Sequence, residues 1–317
     1  MMAAKNTKNP KPLISIVSPV YKAESIVEAF VARAIEAVTK ITRDYEIILV
    51  DDGSPDRSWE KIVHTCSEND RVKGVRLSRN FGQHSAINAC LEYSRGDFVV
   101  LMDCDLQDDP IYIQEMYQEM DQTDYVITRR REKKQTFTRK ILGNYFYKVY
   151  SWLAGDQLDW SIGLFSMLSR KVVDSYLRVG DYNRYYLLVL SWLGFSHKVI
   201  EVENRERYSG RSSYTLDRLI RIAFSSIISN SDKLLSLSVV MGMIFITLSV
   251  LSGLYIIIDM VIFGATFAQG WPSVFVLLLF STGIILFCLG IAALYIGSIF
   301  SQVKGRPRYV VREFTNF

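Results

Sequence analysis

Paired cysteines are missing from this chain. Its four cysteines, Cys66, Cys90, Cys104 and Cys288, lie in no paired spacing among 317 residues. That excludes a disulfide framework and a zinc site, and reads as free thiols in a reducing compartment. Strong charge of either sign is missing too. The formal net charge is +4 and no basic stripe is interleaved with aromatics, so nucleic acid is not an expected partner. Neither common Gly-rich phosphate loop occurs, which excludes a dinucleotide dehydrogenase and a P-loop nucleotidase. The first residues are polar, with Lys5, Lys8 and Lys11 and no apolar core. Residues 1–12 therefore read as a disordered leader and not as a signal peptide. What is abundant is apolar residue content, 49%, and the excess lies near the C-terminus.

Short apolar runs alternate with amphipathic ones over the first half. Leu13–Val17, Tyr45–Val50, Val72–Leu77, Phe98–Met102 and Asp124–Thr128 read as strands. Between them, Ile26, Val27, Phe30, Val31, Ala34, Ile35 and Val38, then Trp59, Ile62 and Val63, then residues 83–94, keep a helical period. This alternation predicts an α/β fold with a parallel, doubly wound sheet. Such sheets bind ligands beyond the carboxyl ends of their strands. Pro19-Val20-Tyr21, Asp51-Asp52, Arg79-Asn80 and Asp103-Cys104-Asp105 all fall at such ends. Several polar clusters gathered on one rim predict a nucleotide-plus-metal site.

Asp103 and Asp105 are spaced i, i+2, which on an extended segment puts both carboxylates on one side. Gln107 continues the alternation. Oxygen ligands without Cys or His suit a hard cation, Mg2+ or Mn2+, which also takes oxygens from substrate phosphates. Asp108-Asp109-Pro110 reads instead as the cap of the next helix.

The second half is basic, then aromatic, then uncharged. Arg129, Arg130, Arg131, Lys133, Lys134, Arg139 and Lys140 precede a helical pattern over 137–153 with aromatic rims. That composition fits a helix lying in a membrane interface, with an ordinary amphipathic helix on the sheet as the alternative. A strand–helix pair runs on to Leu193. A polar loop with Arg205, Arg207 and Arg211 closes an α/β domain spanning 13–213, and 214–230 is a second candidate interfacial helix. Leu234–Ile258 and Trp271–Val303 then carry no charge, each long enough for a hydrocarbon core of ~30 Å. Lys233 precedes them, and Lys304, Arg306, Arg308 and Arg312 follow, while the connection holds no Lys or Arg. The expectation is two transmembrane helices within 234–303, a cytoplasmic tail over 304–317, and both termini and the α/β domain cytoplasmic, against the inner membrane face.

Asp51-Asp52-Gly53-Ser54, Asp103-Cys104-Asp105-Leu106-Gln107 and Ser18-Pro19-Val20-Tyr21 resemble the motifs of glycosyltransferase family 2, which has the GT-A fold. Arg79-Asn80-Phe81-Gly82 with Ala86, the run Arg207, Gly210, Ser212, Tyr214 and the C-terminal spans resemble its polyprenyl-phosphate glycosyltransferases, most of all the bactoprenol type. The likeness covers about residues 13–312. It implies inverting transfer of one sugar, glucose from UDP-glucose being the choice, to undecaprenyl phosphate at the membrane. Pro19, Tyr21, Glu24, Asp51, Asp52, Arg79 and Asp103 would hold the donor nucleotide. Asp105 and Gln107, with Asp103, would hold Mg2+ or Mn2+. Arg207, Arg211, Ser212, Arg129 and Arg131 would meet the acceptor phosphate, or anchor to anionic lipid. Asp159, with Asp156 behind it, stands where relatives place an acceptor-side carboxylate, so Asp159, Asp105 and Arg207 are the catalytic choices. A homo-oligomer is compatible with this reading. Three departures stand out. Lys22-Ala23 replaces the usual Asn-Glu, Gly163-Leu164-Phe165-Ser166 lacks the usual Arg, and no Gln-x-x-Arg-Trp of polymerising relatives occurs. A non-catalytic nucleotide-sugar-binding scaffold, and a tethered transferase for a soluble acceptor, are the competing readings.

Overall fold

The structure, a computed structural model, describes residues 12–130, 162–181, 184–203, 233–263 and 270–317. They fall into two units, an α/β unit that includes Arg306–Phe317 and a helical unit. The α/β unit runs β1 (Ile14–Val20), α1 (Val27–Thr39), β2 (Tyr45–Asp51), α2 (Ser58–Glu68), β3 (Val72–Leu77), α3 (Gln83–Tyr93), β4 (Phe98–Leu101), α4 (Tyr112–Glu119) and β5 (Tyr125–Arg130). It continues with β6 (Ile162–Ser169), α5 (Arg170–Arg178), α6 (Tyr186–Leu193) and β7 (His197–Val202). The helical unit holds α7 (Lys233–Phe263) and α8 (Trp271–Val303), and β8 (Val311–Thr315) returns to the sheet.

One sheet takes all eight strands in the order β7-β5-β6-β4-β1-β2-β3-β8. The centre, β4-β1-β2-β3, is parallel, as the alternation of runs predicts. β6 runs antiparallel between β4 and β5, and β8 antiparallel along β3. Central strands are buried on both faces and read as continuous apolar runs. Along β2, Ile47 and Leu49 belong to the core on the face that carries α1, α2 and α4, while Ile48 and Val50 belong to the core on the face that carries α3, α5 and α6.

β1 extends three residues beyond its expected end, through Pro19, although proline cannot donate to a ladder. The Val17 carbonyl accepts from Met102 on the β4 side. By alternation Pro19 faces that side too, where β4 pairing has stopped at Leu101, so its missing N–H costs no ladder bond. Val20, facing β2, accepts from the Asp52 amide at 2.9 Å.

Two elements differ from expectation. His197–Val202 is a strand parallel to β5, whereas the sequence reading assigned no element to 194–200 and opened a polar loop at Glu201-Val202. Residues expected as a free tail form β8. Ser78 N donates to the Val310 carbonyl at 2.8 Å, and Asn316 Nδ2 donates to the Cys66 and Val72 carbonyls at 2.6 and 3.0 Å. Tyr309 donates its hydroxyl to Glu92 at 2.6 Å. Cys66, Cys90 and Cys104 are buried and unbridged, and burial pushes the Cys66 thiol up to about 12.

In the helical unit, α7 and α8 touch where Phe245 meets Phe280 edge-on at 5.1 Å and the Cys288 thiol donates to the Ser238 carbonyl. Among the described residues, one stretch, Phe280–Val303, is long and apolar enough to cross a membrane, and Leu235–Phe245 is a shorter apolar stretch.

The amino ends of the central strands are pinned by Glu46, which accepts from Ser15 Oγ at 2.6 Å, Lys73 Nζ at 2.7 Å and the Arg95 amide at 2.7 Å. Beside it, a Cβ on Gly96 would lie 2.5 Å from the Ser15 backbone nitrogen. Gly96→Ala is therefore expected to destabilise the protein by about 1–3 kcal/mol through overpacking, read as a lower thermal midpoint in detergent.

Candidate active site

The carboxyl ends of β1, β2, β3 and β4 each lead into a polar loop, and the loops are tied together by backbone hydrogen bonds. Asp52 accepts the Phe81 and Gly82 amides at 2.7 and 2.9 Å. These donors sit in the turn that opens α3, so an anion is well placed there. Gly53 adopts φ +63°, and a Cβ there would lie 2.5 Å from the Arg79 carbonyl carbon. Glycine is required twice over, for the left-handed backbone and for the close approach of the 79–82 loop. Asp51 is fully buried and accepts the Ser54 amide at 3.2 Å, which closes the turn. Burial pushes both Asp51 and Asp52 above the usual carboxylate range.

Ser54 Oγ in turn accepts the Lys22 amide at 3.1 Å, and Ser58 Oγ the Ala23 amide at 2.8 Å. Lys22 is left-handed, φ +54°, beside an exposed Tyr21. Glu24 accepts the Arg57 amide at 3.0 Å. Arg79 is exposed and lies over the Phe81 ring. Pro19, Tyr21, Glu24, Asp51, Asp52 and Arg79 are thus all on, or tied to, the loops of one rim.

The segment after β4 is a turn rather than an extended run. Leu106 takes φ +55° with its side chain in the core, and Asp105 accepts the Gln107 amide at 3.1 Å. The buried leucine and this Asx turn, not strand alternation, place the two carboxylates. Asp103 accepts from Gln83 Nε2 at 2.9 Å. Asp108 does not cap α4. It is 1% exposed and paired with Arg130, whose Nη2 and Nε lie 2.8 and 3.3 Å from its oxygens. Arg130 Nη1 also donates to Gln107 Oε1 at 3.3 Å. The Gln107 oxygen expected on a metal is therefore shared with a guanidinium. Sequence reading missed Gln83, and it took Arg130 only as one of a run of three arginines offered to phosphate, not as the partner of Asp108 and Gln107. The signal for Arg130 was its position as the last residue of β5, a strand end like the others, hidden inside a run of three arginines.

Arg129 is half-buried on β5. Asp156, Asp159, Arg131, Arg207, Arg211 and Ser212 lie outside the described residues, as do the candidate interfacial helices 137–153 and 214–230 and the leader.

Residues 15–177 match the family model described as glycosyl transferase family 2. The uncharacterized glycosyltransferase YkcC of Bacillus subtilis is 32% identical over 94% of this chain and 93% of its own. The SfII prophage-derived bactoprenol glucosyl transferase of Shigella flexneri is 30% identical over 95% of this chain and 97% of its own. The chain belongs to glycosyltransferase family 2. A solved glucosyl-3-phosphoglycerate synthase from Mycobacterium tuberculosis aligns at TM-score 0.49 with 17% identity, over 69% of this chain and 79% of that one. That likeness is too slight to speak to fold or chemistry.

Within this transferase the loop carboxylates are electrostatically crowded. Burial, with the charges of Asp105 and Asp108 beside it, pushes Asp103 up to about 7. The folded protein thus holds a proton that the unfolded chain loses near ~4. Apo stability should fall as pH rises from about 4 to about 7 and level off above, the unfolded state being the poorer proton binder throughout that window. Asp103→Asn should raise the thermal midpoint of the metal-free protein at pH 8, with the gain shrinking as pH falls towards 5. A gain that is flat with pH would contradict this account.

Arg130→Ala leaves Asp108 buried without its partner and should cost about 3–5 kcal/mol. Arg130→Met with Asp108→Asn should recover part of that loss, which a chemical denaturation series would measure.

Proposed function

We propose that this transferase moves one sugar from a nucleotide-sugar, UDP-glucose the leading choice, to a polyprenyl phosphate on the cytoplasmic membrane face, inverting the anomeric carbon. The observation that carries the reading is the gathering of Asp103, Asp105, Asp108 and Arg130 on the rim that also holds Asp51 and Asp52. The near full-length similarity to bactoprenol glucosyl transferases supports the acceptor class.

Among the described residues, no three carboxylate, imidazole or thiol groups form a ready-made metal cage. Asp103 and Asp105 nonetheless fit a divalent ion that completes its shell from substrate phosphates, the usual habit of Mg2+. The crowding that lifts Asp103 is the charge such an ion would relieve. When bound, Mg2+ or Mn2+ would stabilise charge on the departing nucleotide diphosphate. Asp52 and the turn 51–54 would seat the base and ribose, with Tyr21 and Arg79 at the pocket edge. Arg130, still held by Asp108, would meet a diphosphate oxygen, guanidinium being suited to phosphate.

The acceptor phosphate monoester has a second pKa near ~6 and is largely ionised at pH 7. Placing it beside a second anion then matters more than removing a proton. Arg129, Arg131, Arg207 and Arg211, with Ser212, are assigned to that placement, and Asp159 to orienting the sugar.

Membrane residence is supported by the apolar stretch Phe280–Val303, almost none of which is buried. Leu289, Ile296 and Phe300 are each more than 60% exposed, a state that water penalises and hydrocarbon does not. The chain leaves the α/β sheet after β7 and rejoins it at β8, so crossings between them come in an even number. α7, 31 residues long, supplies the second crossing of a multi-pass protein, with β8 and the α/β unit both cytoplasmic.

The test is detergent-purified protein with Mg2+ or Mn2+, undecaprenyl phosphate and a panel of labelled nucleotide-sugars. Label should pass into butanol with one donor and fall at least 100-fold in Asp105→Ala. Label that stays in water would mean a soluble acceptor. Nucleotide-sugar binding with no transfer from any donor would mean a non-catalytic scaffold.

A further inference from the structure

The three strands β2, β3 and β8 align Asp51, Arg76 and Glu313 in one row across the sheet, Asp51 opposite Arg76 and Arg76 opposite Glu313. Their side chains meet. Arg76 Nε lies 3.7 Å from Asp51 Oδ2, and Arg76 Nη1 lies 3.8 Å from Glu313 Oε2. The guanidinium also sits over the Trp59 ring at 5.7 Å, which limits where it can go.

Asp51 is fully buried, and Arg76 is the cation that faces it. Its other charged neighbours are Asp56 and Asp52, both of the same sign. From Asp51 the contacts continue to the Ser54 amide, and from Ser54 Oγ to the Lys22 amide. A continuous set of contacts therefore joins the last strand of the chain to both loops of the nucleotide end.

We propose that β8 is a working part of the donor site: Glu313 and Arg76 are positioning residues that hold Asp51, and through it the 51–54 turn and the Lys22 loop, in the shape that receives a nucleoside diphosphate. The inference rests on the reading of that rim as the donor site. It makes the segment after the last long helix a determinant of donor affinity, although it supplies no group to the reacting atoms. Arg76 favours the charged form of Asp51 against the burial that opposes it, and Asp56 opposes it as well.

The experiment uses full-length protein in detergent, wild type against Arg76→Met, Arg76→Lys, Glu313→Gln and Arg312→Gln. Arg312, the extra residue where the β3–β8 register shifts, is outside the Asp51–Arg76–Glu313 row and is the control. Two measurements are made, amide exchange over residues 51–58 without nucleotide, and UDP affinity with donor KM and kcat across pH. Arg76→Met should speed exchange there and raise donor KM about tenfold with kcat within about twofold. Glu313→Gln should raise KM about threefold, and the double variant should show less than the product of the two, because both act through Asp51. The acidic limb of UDP affinity should move to higher pH in Arg76→Met and return in Arg76→Lys. A uniform loss of stability would produce no such movement. Unchanged exchange in Arg76→Met and Glu313→Gln, or faster exchange with wild-type UDP affinity, overturns the proposal. Faster exchange in a protein whose wild type binds no UDP retains the contact chain and rejects the donor reading of the rim.

Discussion

Arg130 is the constraint around which the site is arranged. Three carboxylates, Asp103, Asp105 and Asp108, lie close enough for their charges to act on it and on one another. Taking several like charges out of water is expensive unless each is paired or hydrogen-bonded. The fold meets that cost at Asp108 with a two-pronged guanidinium contact and at Asp103 with the Gln83 amide. Among the described residues, these three carboxylates share one guanidinium. Such crowding would be relieved by a divalent cation, the partner proposed for the nucleotide diphosphate.

Much of the fold could be read from the chain because each central strand is buried on both faces. Leu13–Val17 and Tyr45–Val50 stand out as apolar runs whatever surrounds them. The polar clusters at their ends then locate the rim through topology alone. β7 and β8 could not be read in the same way. His197–Val202 and Val311–Thr315 are half-exposed edge strands, and their pairing is fixed by partners far away in sequence. The site divides along similar lines. Asp51, Asp52, Asp103 and Asp105 are visible as motifs. The pairing of Asp108 with Arg130 is not, since Asp-Asp-Pro has the composition of a helix start and only the return of β5 brings the arginine to it. The αL turn at Leu106 is equally invisible, because a buried leucine with positive φ is held by tertiary packing and not by local preference.

A phosphate acceptor changes what the protein must supply. A hydroxyl acceptor needs a base in the transition state, whereas a phosphate monoester brings its own negative oxygen. The difficulty moves to bringing two anionic groups together. Arginine answers it better than lysine, since a planar fork can hold one carboxylate and still present donors to a phosphate. Arg130 holds Asp108 in this way, with Nη1 turned to Gln107. The proposed acceptor would give the arginines over 129–131 and 205–211 the same task.

The return of the chain through β8 resolves two structural problems at once. Without it, β3 would present an unpaired edge, which invites association with other strands. With it, β3 is paired on both sides and Arg76 is bracketed by two carboxylates across three strands. The same pairing constrains the proposed membrane crossings between β7 and β8. A segment that starts and finishes in one sheet cannot end on opposite sides of a bilayer. The charge pattern around α7 and α8 and the strand pairing of β8 are independent observations, one from composition and one from hydrogen bonding. Both agree with the proposed topology, in which the last residues share a compartment with the carboxylate rim.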